Sequence, residues 1–228
     1  MSAKRVALSF TGGKDCTLTL HILASNSELA VPLLVTFAPT PSSATKPFLS
    51  HPIPLIQRIA QSLQIEHRVL YIDGPDYMSS YVSHFMALKD EGIEEFATGD
   101  IEDVCSDFMG RAARQAGLPL NRPLWQVPRA SLLSQLYDTY ALSFVVTCVN
   151  TESVPLEIAR KMVGKVLTKA LLDEIMSQKE CETVDACGEF GEYHTMCLDG
   201  PMFKQRVQLP KGQQMVDGSF LYWKLFDE

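Results

Sequence analysis

Ser9-Phe10-Thr11-Gly12-Gly13-Lys14-Asp15-Cys16 joins a short apolar run, Arg5 to Phe10, to an amphipathic stretch, Cys16 to Ala24. A strand that ends in a Gly-Gly turn and opens a helix gathers backbone N–H groups and the positive helix end at one point, which favours a phosphate. The glycines let a ligand approach the main chain, and Lys14 adds a mobile positive charge for outer phosphates. Asp15 is placed to orient a metal ion held mainly by those phosphates, and the Ser9 and Thr11 hydroxyls add donors or caps. The spacing is neither the Walker pattern nor the dinucleotide fingerprint with three spaced glycines.

Outward from this turn, the first half of the chain alternates strand and helix. Arg5 to Phe10, Leu33 to Phe37, His67 to Ile72 and Glu95 to Thr98 read as strands. Cys16 to Ala24, Pro54 to Leu63, Asp76 to Lys89 and Asp103 to Ala116 carry apolar residues at helical spacing. Such alternation implies an α/β fold with a Rossmann-like parallel sheet covered on both faces. Ala38 to Pro54, rich in Pro, Ser and Thr, reads as a surface loop and a candidate lid.

The Pro- and Gly-bearing segment 117–123 marks a soft boundary, giving a domain over 1–118 and a smaller C-terminal α+β domain over 119–228. In the latter, a helix is expected over Ala130 to Tyr140 and a strand over Phe144 to Val149. A final strand is expected over Ser219 to Leu225, after the turn signals Asp199-Gly200 and Asp217-Gly218.

With 228 residues, 46% hydrophobic and 21% charged, the chain has the composition of a compact globular protein. A formal net charge of -7 and no basic run argue against a sequence-independent grip on nucleic acid. The apolar run after Met1-Ser2-Ala3-Lys4-Arg5 is too short for a signal or a membrane span, so the cytoplasm is the expected compartment. None of the six cysteines forms a C-x-x-C pair, which argues against structural zinc.

Three further groups carry chemistry. Gly99-Asp100 follows the Glu95–Thr98 strand, at the carboxyl edge where open sheets bind ligands. Trp125 stands beside Pro123 as a candidate wall of a substrate site. The densest polar cluster is Asp185-Ala186-Cys187-Gly188-Glu189-Phe190-Gly191-Glu192-Tyr193-His194-Thr195. It reads as a flexible loop whose acids could hold an ammonium or a metal, with candidates for proton transfer.

Thr11 to Cys16 resembles the Ser-Gly-Gly-x-Asp-Ser signature of PP-loop ATP pyrophosphatases, with Thr11 and Cys16 in place of the two serines. Read in order, Thr11 to Cys16, Glu91-Gly92, Gly99-Asp100-Ile101, Pro123-Leu124-Trp125, Gly188 to Thr195 and Asp199-Gly200-Pro201-Met202-Phe203 resemble the diphthine–ammonia ligase family. The resemblance implies an adenine nucleotide alpha hydrolase-like fold. It also implies an enzyme that uses ATP and Mg2+ to adenylate a carboxylate, releases pyrophosphate and transfers ammonia to form an amide.

By that resemblance Ser9, Thr11, Gly12, Gly13, Lys14, Asp15, Cys16, Gly99 and Asp100 face the nucleotide, with Asp15 on the metal. Trp125, Gly188, Glu189, Gly191, Glu192, Tyr193, His194 and Thr195 face the substrate. Lys14, Asp15, Glu189, Glu192 and His194 carry the chemistry, the glutamates binding ammonium and His194 accepting its proton. The partners implied are ammonium and a carboxylate, in one branch diphthine on translation elongation factor 2. A small-molecule carboxylate and a non-catalytic nucleotide sensor stay open as alternatives, as does a homo-oligomer. A tRNA-modifying enzyme is disfavoured by a pI near 5.3.

Overall fold

The computed structural model describes residues 2–40, 49–103 and 105–226. The candidate lid therefore falls partly outside the described residues, at 41–48. The chain groups into two compact units, one of Met1–Thr11, Asp15–Pro47 and Gln64–Gln126, the other of Gly12–Lys14, Phe48–Leu63 and Val127–Glu228. A single cut after residue 118 does not reproduce this grouping. A short strand at Leu120–Asn121 pairs with the sheet of the first unit, and residues 12–14 and 48–63 group with the second.

In the first unit the strands are β1 (Lys4–Ser9), β2 (Leu29–Pro39), β3 (Glu66–Ile72), β4 (Glu95–Ala97) and β5 (Leu120–Asn121). All neighbours pair in parallel, in the order β3-β2-β1-β4-β5, so the expected α/β parallel sheet is present. β2 starts four residues earlier than the apolar run suggests. Pro32, which has no N–H to give, sits where the β1–β2 register shifts between Arg5 and Ala7, and the strand continues past that irregularity.

Helix α1 (Lys14–Ser25) follows β1, and α3 (Tyr77–Asp90) and α4 (Phe108–Ala116) cover part of the sheet. Ala7, Val35, Phe85, Leu88, Phe96 and Ala113 belong to the buried core of this unit. Glu91 and Gly92, part of the family pattern, close α3, and Glu91 pairs with Arg68 at 2.5 Å on the surface.

The helix expected from Asp103 begins only at Phe108. Ser106 and Asp107 adopt φ of 52° and 51°, and the Asp103 carboxylate accepts the Asp107 N–H at 2.7 Å. That side-chain turn competes with the helical pattern and delays the first turn of α4.

In the second unit, α2 (Ile53–Leu63) buries Leu55, Ile56, Ile59 and Leu63. The expected helix at 130–140 is split. α5 (Arg129–Ser134) runs into a π-helical turn, Gln135–Thr139, closed by Tyr140 N–H to Gln135 O at 2.9 Å. Strand β6 (Ser143–Asn150) lies in an antiparallel sheet ordered β7-β6-β9-β8, with β7 at Tyr193–Asp199, β8 at Gly212–Asp217 and β9 at Phe220–Leu225. Two helices, α6 (Leu156–Met162) and α7 (Lys169–Met176), fill the connection from β6 to β7. The Gly188–Thr195 block is a loop only at its start, because Tyr193, His194 and Thr195 are β7 residues paired with β6. Among the described residues, no helix is long and apolar enough to cross a membrane.

Candidate functional site

Within the second unit, the turn that opens α1 meets the first residues of β7. The Lys14 N–H donates to Thr195 Oγ1 at 3.1 Å, and the Cys197 N–H donates to Gly12 O at 2.6 Å. Thr195, read from sequence as substrate-facing, here caps the first orphan N–H of the helix. Gly12 has φ of 74°, and a Cβ there would lie 2.9 Å from Met196 Cε and 3.0 Å from Ile59 Cδ1. Glycine is thus required both by backbone conformation and by the packing of β7 and α2 over the turn.

Lys14 is 3% exposed. Its ammonium lies 5.5 Å from the centre of the Tyr193 ring, within the range of a cation–π contact. The His194 imidazole is held below its ordinary value, chiefly by burial and further by the Lys14 charge. A neutral ring is therefore the favoured form near neutral pH, and it can accept a proton. His51 packs edge-on against His194, with ring centroids 5.1 Å apart.

The acidic loop ahead of β7 is organised by its own carboxylates. Glu192 is 4% exposed and accepts the Asp185 N–H at 3.0 Å and the Phe190 N–H at 2.9 Å. The Tyr193 hydroxyl donates to Ala186 O at 2.6 Å, and Asp185 binds Arg129 Nε at 2.7 Å. Glu192, assigned from sequence to ammonium, thus holds the main chain of the loop with both oxygens. Glu189 is half-buried beside it, Phe190 is exposed, and Gly188 and Gly191 have φ of 67° and 82°.

Within the first unit, Ser9 ends β1, while Thr11, Asp15 and Cys16 flank the turn. The Thr11 hydroxyl lies 3.9 Å from Cys16 Sγ, so the thiol that replaces the usual serine has a local contact and is buried. A Cβ at Gly99 would fall 2.9 Å from the Asp15 carbonyl carbon and 2.9 Å from Cys16 N. The end of β4 therefore presses main chain to main chain against the start of α1. Asp100 follows, accepting the Thr98 hydroxyl at 2.8 Å, and burial raises its carboxyl above the ordinary range. Trp125 stacks on the Arg122 guanidinium, 4.3 Å from ring centre to Cζ.

The main-chain turn, the helix start and the buried Lys14 suit a polyphosphate. Among the described residues no group of three or more His, Cys, Asp or Glu is arranged to hold a metal. A magnesium ion taken mainly by phosphate oxygens, with Asp15 as a protein carboxylate, fits that chemistry. Sequence spacing gave no signal for His51, Met196 or Ile59, since their relation to the turn arises only when α2 and β7 close over it.

Residues 132–225 match the diphthamide synthase C-terminal domain family. Over 109 residues the chain is 30% identical to the diphthine–ammonia ligase of Schizosaccharomyces pombe, covering 48% of this chain but only 16% of that protein. The chain therefore spans about a sixth of that curated relative in this match. A predicted subunit of tRNA methyltransferase from Methanocaldococcus jannaschii is similar with a TM-score of 0.46 and 16% identity, over 87% of this chain and 98% of that one. The U34-tRNA thiolase NcsA of Methanococcus maripaludis gives a TM-score of 0.42 and 12% identity, over 60% of this chain and 58% of the thiolase.

Proposed function

We propose that this chain, whose residues 132–225 match the diphthamide synthase C-terminal domain family, is an ATP-dependent ligase that turns a carboxylate into an amide. In the first step the carboxylate attacks the α-phosphate of ATP, and pyrophosphate leaves. Ammonia then attacks the activated acyl carbon, AMP departs, and the nitrogen loses a proton. The acceptor proposed is the diphthine carboxylate, in keeping with the relative from Schizosaccharomyces pombe.

The observation that carries the reading is the meeting of Lys14 with Tyr193, His194 and Thr195. Negative charge grows on the departing pyrophosphate, and a preorganised ammonium and main-chain N–H groups stabilise it best in a site that excludes water. Burial of Lys14 and the Tyr193 ring near its ammonium support that preorganisation, while Thr195 holds the Lys14 main-chain N–H. Magnesium, held by phosphates and Asp15, would neutralise further phosphate charge. His194, neutral near pH 7, is the group suited to take the proton from ammonium, and Glu189, on the loop ahead of β7, is the acid proposed to hold the cation before transfer. Glu192 keeps the loop in shape for both.

The test is direct. Purified chain with ATP, Mg2+, ammonium and diphthine-bearing elongation factor 2 is expected to release pyrophosphate and AMP in step with amide. Lys14→Met is expected to lower that release by roughly 100-fold or more, the scale of losing an oriented charge at a transition state. Turnover unaffected by Lys14→Met would show that the turn does not serve ATP cleavage.

A further inference from the structure

β1 ends at Ser9, but the hold of β2 on this part of the chain runs one residue further. The Phe10 N–H donates to Val35 O at 2.7 Å, and the Phe10 carbonyl accepts the Thr36 hydroxyl at 2.5 Å. Phe10 and Thr36 are both fully buried. A second contact reaches the same hydroxyl from β3, where His67 Nε2 lies 2.8 Å from Thr36 Oγ1.

A threonine hydroxyl has a single proton. Two oxygens 2.5 Å apart need that proton between them, so Thr36 donates to Phe10 O and can only accept from His67. Nε2 must then carry a hydrogen. Burial holds the His67 imidazole below its ordinary value, so near neutral pH the ring is neutral, with its hydrogen on Nε2 and Nδ1 bare. The result is a directed chain across neighbouring strands, from His67 on β3 through Thr36 on β2 to the residue after β1.

This chain fixes more than a carbonyl. The Phe10–Thr11 peptide is planar and trans, so its C=O and its N–H point in opposite directions. With Phe10 O turned to β2, the Thr11 N–H is turned to the other side of β1, where β4 lies. The strand order reverses there, with β2 and β3 to one side of β1 and β4 and β5 to the other. Such a reversal leaves a crevice at the carboxyl ends of the strands, the place where open α/β sheets take ligands.

We infer that Thr36 and His67 are positioning residues, which hold the Thr11 N–H toward the crevice between β1 and β4 to donate to a phosphate oxygen. The inference rests on the phosphate-binding part of the ligase reading. A main-chain donor fixed in advance needs no reorganisation when the anion arrives, which is what makes such a donor effective. Neither side chain has to touch the ligand.

Two measurements on the whole chain decide it. NMR of the His67 ring nitrogens is expected to show a protonated Nε2 and a bare Nδ1 in the neutral ring. Calorimetry with inorganic pyrophosphate and Mg2+ is the second. Thr36→Val, which keeps the shape and removes the donor, is expected to weaken binding about tenfold, the scale of one hydrogen bond to a charged group. Thr36→Ser keeps the hydroxyl and should stay within about twofold of the unaltered chain. His67→Leu should lose binding several-fold, and His67→Gln, whose amide can donate from nearly the same place, should recover most of it. That second pair decides if Thr36→Val does not fold. A hydrogen on Nδ1, or losses that Thr36→Ser and His67→Gln do not relieve, overturn the inference. Pyrophosphate binding that ignores both Thr36→Val and His67→Leu faults the positioning chain alone. No pyrophosphate binding by the unaltered chain overturns the phosphate role and the ligase reading together, whatever His67 shows.

Discussion

At the scale of single residues, Lys14 dominates. Lys14 is 3% exposed, so its charge has lost most of its water, and a polyphosphate is a class of ligand suited to such a cation. Its charge also reaches His194, whose imidazole is lowered first by burial and then by Lys14. NMR titration of His194 should therefore give a value below the ordinary 6.5, and Lys14→Met should move it upward, since removing a nearby cation favours imidazolium. The sign for stability follows. A depressed histidine contributes stability above its unfolded value, and that stability is lost as pH falls through the folded value. An unchanged His194 titration in Lys14→Met would break the proposed coupling. Gly99 gives a second prediction at this scale. Gly99→Ala puts a methyl 2.9 Å from main chain that cannot rotate away, so urea denaturation should show a loss of about 1–3 kcal/mol.

At the scale of elements, the 185–192 loop and β7 act as one piece because Glu192 closes the loop on itself. Glu192→Ala leaves two main-chain donors without their acceptor, which costs about 1–3 kcal/mol per buried group. Amide exchange at Asp185 and Phe190 should quicken markedly in that variant, and Glu192→Gln, which keeps one acceptor oxygen, should lie between. Exchange unaltered in Glu192→Ala would mean that the loop is held by something else. Most elements here are legible from sequence because their signals are local. β1, β3 and β4 are apolar runs, α1 to α3 repeat at helical spacing, and Gly12-Gly13 marks the turn between. The signals fail where a local rule meets a competing one. Asp103 captures the Asp107 N–H and shortens α4, and β2 extends beyond a register shift at Pro32. The polar letters from Gly188 to Thr195 read as loop throughout, yet three of them belong to β7, because pairing with β6 satisfies their main chain.

At the scale of the molecule, the second unit is assembled from pieces far apart in the chain. Helix α2 ends more than sixty residues before the body of the C-terminal unit begins at Val127, yet the two group together. The Ser62 hydroxyl donates to Gln205 O at 2.5 Å, and the Lys204 N–H donates to Ser62 O at 2.9 Å. Burying Leu55, Ile56, Ile59 and Leu63 contributes on the order of 1.5–3 kcal/mol each, comparable in sum to the ~5–15 kcal/mol by which domains are stable. Residues 127–228 alone are thus expected to lack a cooperative thermal transition, and the same fragment joined to residues 49–63 should regain one. A sharp transition in the shorter fragment would show that α2 is dispensable.

The sequence by itself determined the alternation of strand and helix, the parallel sheet, the Gly-Gly turn between β1 and α1 and the polar block near residue 190. Each of these is written in neighbours along the chain, through side-chain period, glycine conformation and helix polarity. Only the tertiary structure decided which of those polar groups hold the main chain and which lie near one another. Lys14 meets Thr195 across 181 positions of sequence, and that contact, with the clasp made by Glu192, assigns some groups to holding the loop and leaves Lys14 and His194 together. The physical reason is that burial and hydrogen-bond satisfaction depend on which distant segments close over a group, and no local pattern encodes that closure.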